Sequence, residues 1–509
     1  MVSILFVGFY YLLFSILSIF GVHRYYLSYL YSKYKQNKPR ARLFESLLSE
    51  EIPVVTVQLP IFNERYVAPR LLSAVSRLKY PRDKLEIQVL DDSTDETTSI
   101  ARSLVDDLAQ EGLDIVLIHR EDRTGFKAGA LNHGLKKAKG NFIAVFDADF
   151  VPEPDFLEKT VPHFLENPGI GMVQVRWEHL NKDFSLLTQT QSIFLDGHFM
   201  IEHTARNRSG RFFNFNGTAG VWRREAIQTA GGWQCDTLTE DLDLSYRAQL
   251  EGWQFLYLED VVSPAELPVD INAFKTQQHR WAKGSIQTAR KLLPRILRSS
   301  FSRKVKLEAL FHLGANFAYL AMFVVSILLP FSLYVRHQLG WEGTFLLDIP
   351  FFLSATFSVV FFYLYSQREI YPDWVARIKY LPFNLALGIG LSVNNAKAVV
   401  EALLSREGEF SRTPKYAVVK KGDLWKNKKY KGKFDYVSFI ELALGVHFTI
   451  AVIYSLVNDL YLSLPFLVLF QMGYLYTAFM SFHQSGRVPD FLPLFRLWVN
   501  HPSSETVSK

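Results

Sequence analysis

The chain has a single cysteine, Cys235, among 509 residues. No intramolecular disulfide and no cysteine-based zinc site can form from it, and nothing in the chain calls for an oxidising compartment. A strong charge imbalance is also lacking. Lys and Arg number 56 against 50 Asp and Glu, a net charge of +6, and the excess is local. That is not the footprint of a nucleic-acid-binding face, so no nucleic-acid partner is expected. Hydrophobic residues make up 49% and aromatics 15%, which excludes disorder over most of the chain. Mean hydropathy is nevertheless close to neutral, as expected when membrane-length apolar runs are averaged with a charged soluble block.

Residues 2–22 form an uncharged apolar run. It is long enough to cross a hydrocarbon core of about 30 Å at about 1.5 Å per helical residue. No basic residue precedes it and no small-residue cleavage site follows, so 1–22 reads as a retained membrane helix rather than a secretory signal. A basic linker over 23–49 carries Arg24, Lys33, Lys35, Lys38, Arg40 and Arg42 before its first acid. By the positive-inside rule this side is cytoplasmic. Further spans are expected near 311–335, 346–366, 438–457 and 460–482. The segment 381–403 is apolar only as far as Leu391, then turns to Ser392, Asn394, Asn395 and Lys397, which fits a helix lying in the interface. Five crossings put the Lys- and Arg-rich loop 404–435 in the cytoplasm, where such residues belong.

Between 50 and 300, short β-rich runs alternate with longer amphipathic stretches, the pattern of a mostly parallel sheet covered by helices. Candidate strands are 54–59, 85–90, 115–119, 142–146 and 172–177. Ligands of such sheets bind at the carboxyl ends of strands, and two of these ends carry acids: Asp91 and Asp92 after Leu90, and Asp147 and Asp149 after Phe146. The spacing of the second pair lets two carboxylates flank one hard cation, Mg²⁺ or Mn²⁺, that would also engage a diphosphate. Asp is also common in strand-to-loop turns, so either pair alone leaves both readings open. A third acidic cluster, Thr239-Glu240-Asp241, has the form of a helix start, yet it also presents a carboxylate suited to general-base work. In Gln277-Gln278-His279-Arg280-Trp281, residues three apart share a helix face, which brings Gln277 and Arg280 to phosphate oxygens, and the Trp281 indole offers a platform for a sugar ring. Lys127, in a Gly-rich turn, could add a phosphate contact.

Taken in order, these motifs resemble the D,D,D,QxxRW set of the processive family 2 glycosyltransferases, the cellulose synthase superfamily. Further matches point to its cellulose synthase-like A and C branches, which make mannan or glucomannan and β-glucan backbones: Ile61-Phe62-Asn63-Glu64, Lys127-Ala128-Gly129-Ala130-Leu131, Phe146-Asp147-Ala148-Asp149-Phe150, Phe215-Asn216-Gly217-Thr218-Ala219-Gly220 and Phe410-Ser411-Arg412-Thr413-Pro414-Lys415. The resemblance implies an α/β GT-A domain over 50–300, cytoplasmic, and a multi-span α-helical channel region over 301–509. By the same resemblance Asp91, Asp92, Lys127, Asp147, Gln277 and Arg280 bind the nucleotide, and Asp147 and Asp149 hold Mg²⁺ or Mn²⁺. Asp241 is then the catalytic base. Trp281, Glu240, Asn216 and Gly217 meet the glycan acceptor, while Phe410, Thr413 and Lys415 belong to a gating loop, from whose usual pattern Arg412 and Pro414 depart.

The expected activity is inverting, processive transfer of hexose from GDP-mannose or UDP-glucose to a β-1,4-type polysaccharide that is exported across the bilayer. Its setting would be a bacterial inner membrane or a Golgi membrane, and an accessory subunit on the export side is compatible with it. Transfer of a single sugar to a lipid, as by ceramide glucosyltransferases, is the alternative. Glu441 and His447, inside a span, are expected to face protein, water or passing glycan rather than lipid.

Overall fold

A computed structural model describes residues 2–404, 412–425, 428–430, 432 and 434–485. Seven strands form one sheet: β1 Val55–Ile61, β2 Leu85–Asp91, β3 Asp114–His119, β4 Phe142–Val145, β5 Ile170–His179, β6 Gly220–Arg223 and β7 Gln254–Ala265. Their order is β3-β2-β1-β4-β6-β5-β7. All pairings are parallel except those of β6, which runs antiparallel to both neighbours. Every residue of β1, β2 and β4 is buried, because helices cover both faces. Leu71, Leu72 and Val75 pack on one side with Val57 and Ile87, and Leu131 and Leu135 pack on the other with Ile143 and Val145.

Five of these strands were legible as apolar runs. The other two were not: β6 is Gly-Val-Trp-Arg, too short and mixed to read as an apolar run, and β7 carries Glu259 and Asp260 and pairs with β5 through register shifts. The parallel register sets Ile61 opposite Asp91 and Gln58 opposite Val145. Glu64, Asp92 and Asp147 therefore leave the sheet along one edge.

Five helices are long and apolar enough to cross a membrane: Val2–Tyr34, Phe317–Gln338, Asp348–Ile370, Val437–Val457 and Tyr461–Ser485. The second begins later than 311 because a separate helix, Arg303–Gly314, precedes it. The segment expected as one interfacial helix is two, Leu381–Gly390 and Ser392–Leu403. The polar residues of the second find protein partners: Asn394 and Asn395 are buried, and Asn394 Nδ2 donates to the Lys275 carbonyl at 2.9 Å. Gly390 meets Gly473 on the last membrane helix so closely that a Cβ on Gly390 would lie 2.6 Å from the Gly473 carbonyl.

Glu441 faces protein. It pairs at 2.7 Å with Lys275 of the Ile271–Arg298 helix, both side chains being almost fully buried. His447 Nε2 lies 3.2 Å from the Ile327 carbonyl. The sheet domain is thus fastened to the helices of membrane length through the helix that carries Gln277, Arg280 and Trp281.

Candidate active site

The carboxyl ends of β1, β2 and β4 open into a cleft lined by Glu64, Asp92, Asp147 and Asp149, which also receives Lys127, Asn216, Gly217, Glu240 and Asp241 from elsewhere in the sheet domain. Asp147 is fixed by its backbone N–H, which donates to Thr218 Oγ1 at 2.8 Å. Lys127 enters from the first turn of the Phe126–Lys137 helix, after a left-handed turn at Gly125. Its Nζ lies 2.5 Å from Asp147 Oδ1 and 3.8 Å from Glu240 Oε1, and donates to the Gly217 carbonyl at 2.9 Å. Burial opposes the charge on Lys127, but Asp147 and Glu240 outweigh it and raise its pKa. Lys415 ion-pairs with Asp149.

Asp241 is the second residue of the Glu240–Leu250 helix, and its Oδ1 accepts the Leu242 N–H at 2.8 Å. Burial, reinforced by the neighbouring Glu240 charge and only partly offset by Lys127, lifts its pKa to about 7. A carboxylate tuned to that value is both available and basic enough to take a proton near neutral pH. Gly217 makes room for it: φ is +81°, and a Cβ there would sit 3.0 Å from Asp241 Oδ2. Asp243, two residues on, is structural, pairing with Arg247 at 2.6 Å and Lys291 at 2.8 Å.

Gln277, Arg280 and Trp281 all line the cleft from one face of the Ile271–Arg298 helix. His279, on another face, lies 3.3 Å from Glu401 of the Ser392–Leu403 helix. Gly284 lets this long helix approach the loop before Asp241, since a Cβ there would lie 2.5 Å from Thr239 Cγ2. Gln287 Oε1 accepts the Leu238 N–H at 2.9 Å on the same contact. Asp241 and the Gln-Arg-Trp face are therefore set against each other by direct packing.

Of the two acids after Leu90, only Asp92 reaches the cleft, held by Arg120 through bonds of 2.7 and 2.5 Å. Asp91 is fully buried and points the other way, as the alternation of a strand requires. It accepts from the Ser93 N–H at 3.0 Å and the Thr98 hydroxyl at 2.7 Å, and lies 2.8 Å from His119 Nδ1. The expectation that both acids contact nucleotide narrows to Asp92 on this geometry.

The described part of the 404–435 loop lies over the cleft, which Arg412, Thr413 and Lys415 help to line. Phe410 falls outside the described residues. Tyr416 and Val418 anchor the loop in an apolar cluster with Val269, and the Tyr416 N–H donates to Glu266 at 2.9 Å. Arg412 bonds the Asn63 carbonyl and lies 4.0 Å from Glu64 and 4.3 Å from the Tyr430 ring centroid. Glu64 was not among the expected site residues, although its place just past β1 was the available signal. Burial, partly offset by Arg412, pushes its pKa up to about 7. Trp177 and Glu266 also line the cleft and had no motif to mark them.

Two carboxylates suit a divalent cation whose remaining positions are filled by phosphate oxygens and water. Among the described residues no cluster of three or more His, Cys, Asp or Glu could hold a metal by protein ligands alone. Asp147 and Asp149 fit that kind of shared site.

Residues 53–284 match the model of a glycosyltransferase like family 2. The chain is 46% identical over 259 residues to glucomannan 4-beta-mannosyltransferase 2 of Arabidopsis thaliana, an alignment covering 50% of this chain and 48% of the relative. It is 34% identical over 438 residues to glucomannan 4-beta-mannosyltransferase 7 of the same plant, covering 82% of this chain and 75% of the relative. The chain thus spans about half the length of the first of these curated relatives. Among solved structures, the mannosyltransferase PcManGT from Pyrobaculum calidifontis, in complex with GDP-Man and Mn²⁺, aligns with a TM-score of 0.51 at 22% identity, covering 78% of this chain and all of that one. That likeness concerns the fold, a GT-A-like mixed sheet domain. Identity at this level across three quarters of a relative, with the family model matched through the cleft-forming segment, establishes that the chain belongs to the family 2 glycosyltransferases.

Proposed function

We propose that this chain is a membrane-embedded, inverting hexosyltransferase that transfers hexose from a nucleoside diphosphate sugar to a growing β-1,4-type glycan and exports the product. The observation that carries the reading is the convergence in one cleft of Asp147 and Asp149, of Asp241 with its pKa raised to about 7, and of Gln277, Arg280 and Trp281 on one helix face. GDP-mannose is the first donor to test, because the relatives are named as mannosyltransferases.

In this reading the acceptor hydroxyl lies between Asp241 and the anomeric carbon of the donor. Its oxygen attacks that carbon while Asp241 takes the proton. The bond from the carbon to the diphosphate breaks, and the nucleoside diphosphate leaves with the electron pair. An α-linked donor then gives a β-linked product through a transition state with oxocarbenium character. Asp92 and Lys127 hold the nucleotide, and Gln277 and Arg280 the diphosphate. Trp281, Glu240, Asn216 and Gly217 form the acceptor side. A divalent cation held by Asp147 and Asp149, Mg²⁺ or Mn²⁺, neutralises charge on the diphosphate when bound. Thr413 and Lys415 carry the loop that closes over the nucleotide. The sheet domain is cytoplasmic in this scheme, and the membrane helices guide the glycan out.

The test offers radiolabelled GDP-mannose, GDP-glucose and UDP-glucose separately to purified protein in detergent or vesicles, with Mg²⁺ or Mn²⁺, and sizes the product. Label in a long mannanase- or glucanase-sensitive polymer supports the reading and names the donor. Label confined to a chloroform-soluble, single-sugar lipid would sink it.

A further inference from the structure

The Asn216 amide, which lines the cleft, is held at both ends by histidines. His203 Nε2 lies 2.5 Å from Asn216 Oδ1, and Asn216 Nδ2 lies 3.0 Å from His198 Nε2. Both rings come from the π-helical stretch Gly197–His203, with centroids 4.3 Å apart. Such wide turns recur at functional sites. The backbone is fixed as well, since the Asn216 N–H donates to Gln174 Oε1 at 3.0 Å.

The hydrogen bonds available to His203 choose the amide's orientation. With it reversed, His203 would carry its proton on Nδ1, which meets no hydrogen-bonding partner among the described residues. A buried N–H without an acceptor is a rarer orphan than an idle lone pair. A charged network lies behind His198. His198 Nδ1 lies 3.0 Å from Glu202, which pairs with Arg206 at 3.0 Å, and Arg206 Nε donates to Glu308 at 2.9 Å. Glu308 also meets His23 Nε2 at 3.1 Å and Arg211 at 3.9 Å. His203 and His312 are held neutral by burial. With the amide so oriented, His198 Nε2 accepts from Asn216 Nδ2 while its Nδ1 faces Glu202.

We propose that His198 and His203 are positioning residues that lock the Asn216 amide in one orientation, so that it presents one fixed N–H and one fixed oxygen lone pair to a hydroxyl of the acceptor sugar. The proposal rests on the placement of the acceptor beside Asn216. Each amide atom uses one hydrogen-bonding position on a histidine and keeps one for the cleft. A locked amide discriminates a hydroxyl by its direction, whereas an amide free to turn over satisfies either geometry.

The test measures KM for the nucleotide sugar and for a soluble β-linked manno-oligosaccharide acceptor, with the full chain in detergent. His198→Leu and His203→Leu should each raise the acceptor KM about tenfold, the usual scale for one lost hydrogen bond, with the donor KM unchanged. His198→Gln restores an acceptor atom and His203→Gln restores a donor, so both should recover most of the loss. In an Asn216→Ala background, which itself raises the acceptor KM, neither His198→Leu nor His198→Gln should change it further. Equal shifts in both KM values, Leu and Gln variants alike in effect, or a further loss in the Asn216→Ala background would overturn the proposal. If the Leu variants fail to accumulate, the Asn216→Ala and His198→Ala pair carries the same cycle. Should Asn216→Ala raise the donor KM and spare the acceptor KM, the acceptor placement itself fails, whatever the histidine variants do.

Discussion

Replacing Asp241 by Asn changes one property of the cleft at nearly constant shape. Asn keeps an oxygen that accepts the Leu242 N–H, so the helix start stays in place, but it cannot take a proton. Loss of a general base reduces turnover by about 10²- to 10⁴-fold, which is about 2.7 to 5.4 kcal/mol of barrier. Donor binding should hold, because Lys127 keeps its contacts with Asp147 and the Gly217 carbonyl.

The pH dependence gives a second readout. With a pKa of about 7, the active carboxylate form falls from about 90% at about pH 8 to about 10% at about pH 6, so wild-type kcat/KM should drop on the acid side. Glu64 is also raised to about 7, so Glu64→Gln is the control: it should retain the acid limb, and Asp241→Asn should lack it. Stability moves the opposite way. The folded state holds this proton more tightly than the unfolded chain, so Asp241 opposes folding increasingly as pH rises from about 4 to about 7. Asp241→Asn should therefore unfold at the same or higher temperature at about pH 8. Initial rates with radiolabelled donor, donor affinity and a thermal melt together decide the matter. A variant within tenfold of wild-type turnover, or one that keeps the wild-type acid limb, would refute the base assignment.

Gly217→Ala places a methyl group 3.0 Å from Asp241 Oδ2 at a φ of +81°. We expect turnover to fall about 10- to 100-fold with a modest loss of stability, about 1–2 kcal/mol, and a kcat equal to wild type would contradict the close approach. Glu441→Ala leaves the buried Lys275 charge without its partner and should lower stability in detergent by about 3–5 kcal/mol. The Lys275→Met, Glu441→Met double variant should recover most of that, and a melt in which the double variant is no better than the single would speak against the pair. Chelation with EDTA should abolish transfer, Mg²⁺ or Mn²⁺ should restore it, and Asp149→Asn should raise the metal concentration needed for half-maximal rate. Full activity in EDTA would remove Asp147 and Asp149 from that role.

Strand identity was legible where burial on both faces makes a strand uniformly apolar, as in Phe142–Val145. It was illegible where a short strand opens on a glycine and ends on an arginine, like β6, or carries charges, like β7. The acids after β4 could be read because they follow an apolar run directly. The roles of Asp91 and Asp92 could not be divided from sequence, since adjacent residues of a strand point to opposite sides and nothing local says which side is the cleft. Likewise, Ser392, Asn394 and Asn395 look like interface residues until the fold buries all three, with Asn394 bonded to Lys275 and Ser392 to Tyr474.

The sequence by itself determined the class of fold, five apolar runs of membrane length, and many of the residues that line the cleft: Asp92, Asp147, Asp149, Asp241, Gln277, Arg280 and Trp281. These signals are local, because hydropathy, periodicity and motif spacing are properties of neighbouring residues. Only the tertiary structure decided how those residues are tuned and held. It brought Lys127 against Asp147, buried Asp241 beside Glu240, set Glu64 under Arg412, and clamped Asn216 between His198 and His203. A pKa or an amide orientation depends on which charges and lone pairs lie within a few ångströms, and that is fixed by contacts between segments up to several hundred residues apart.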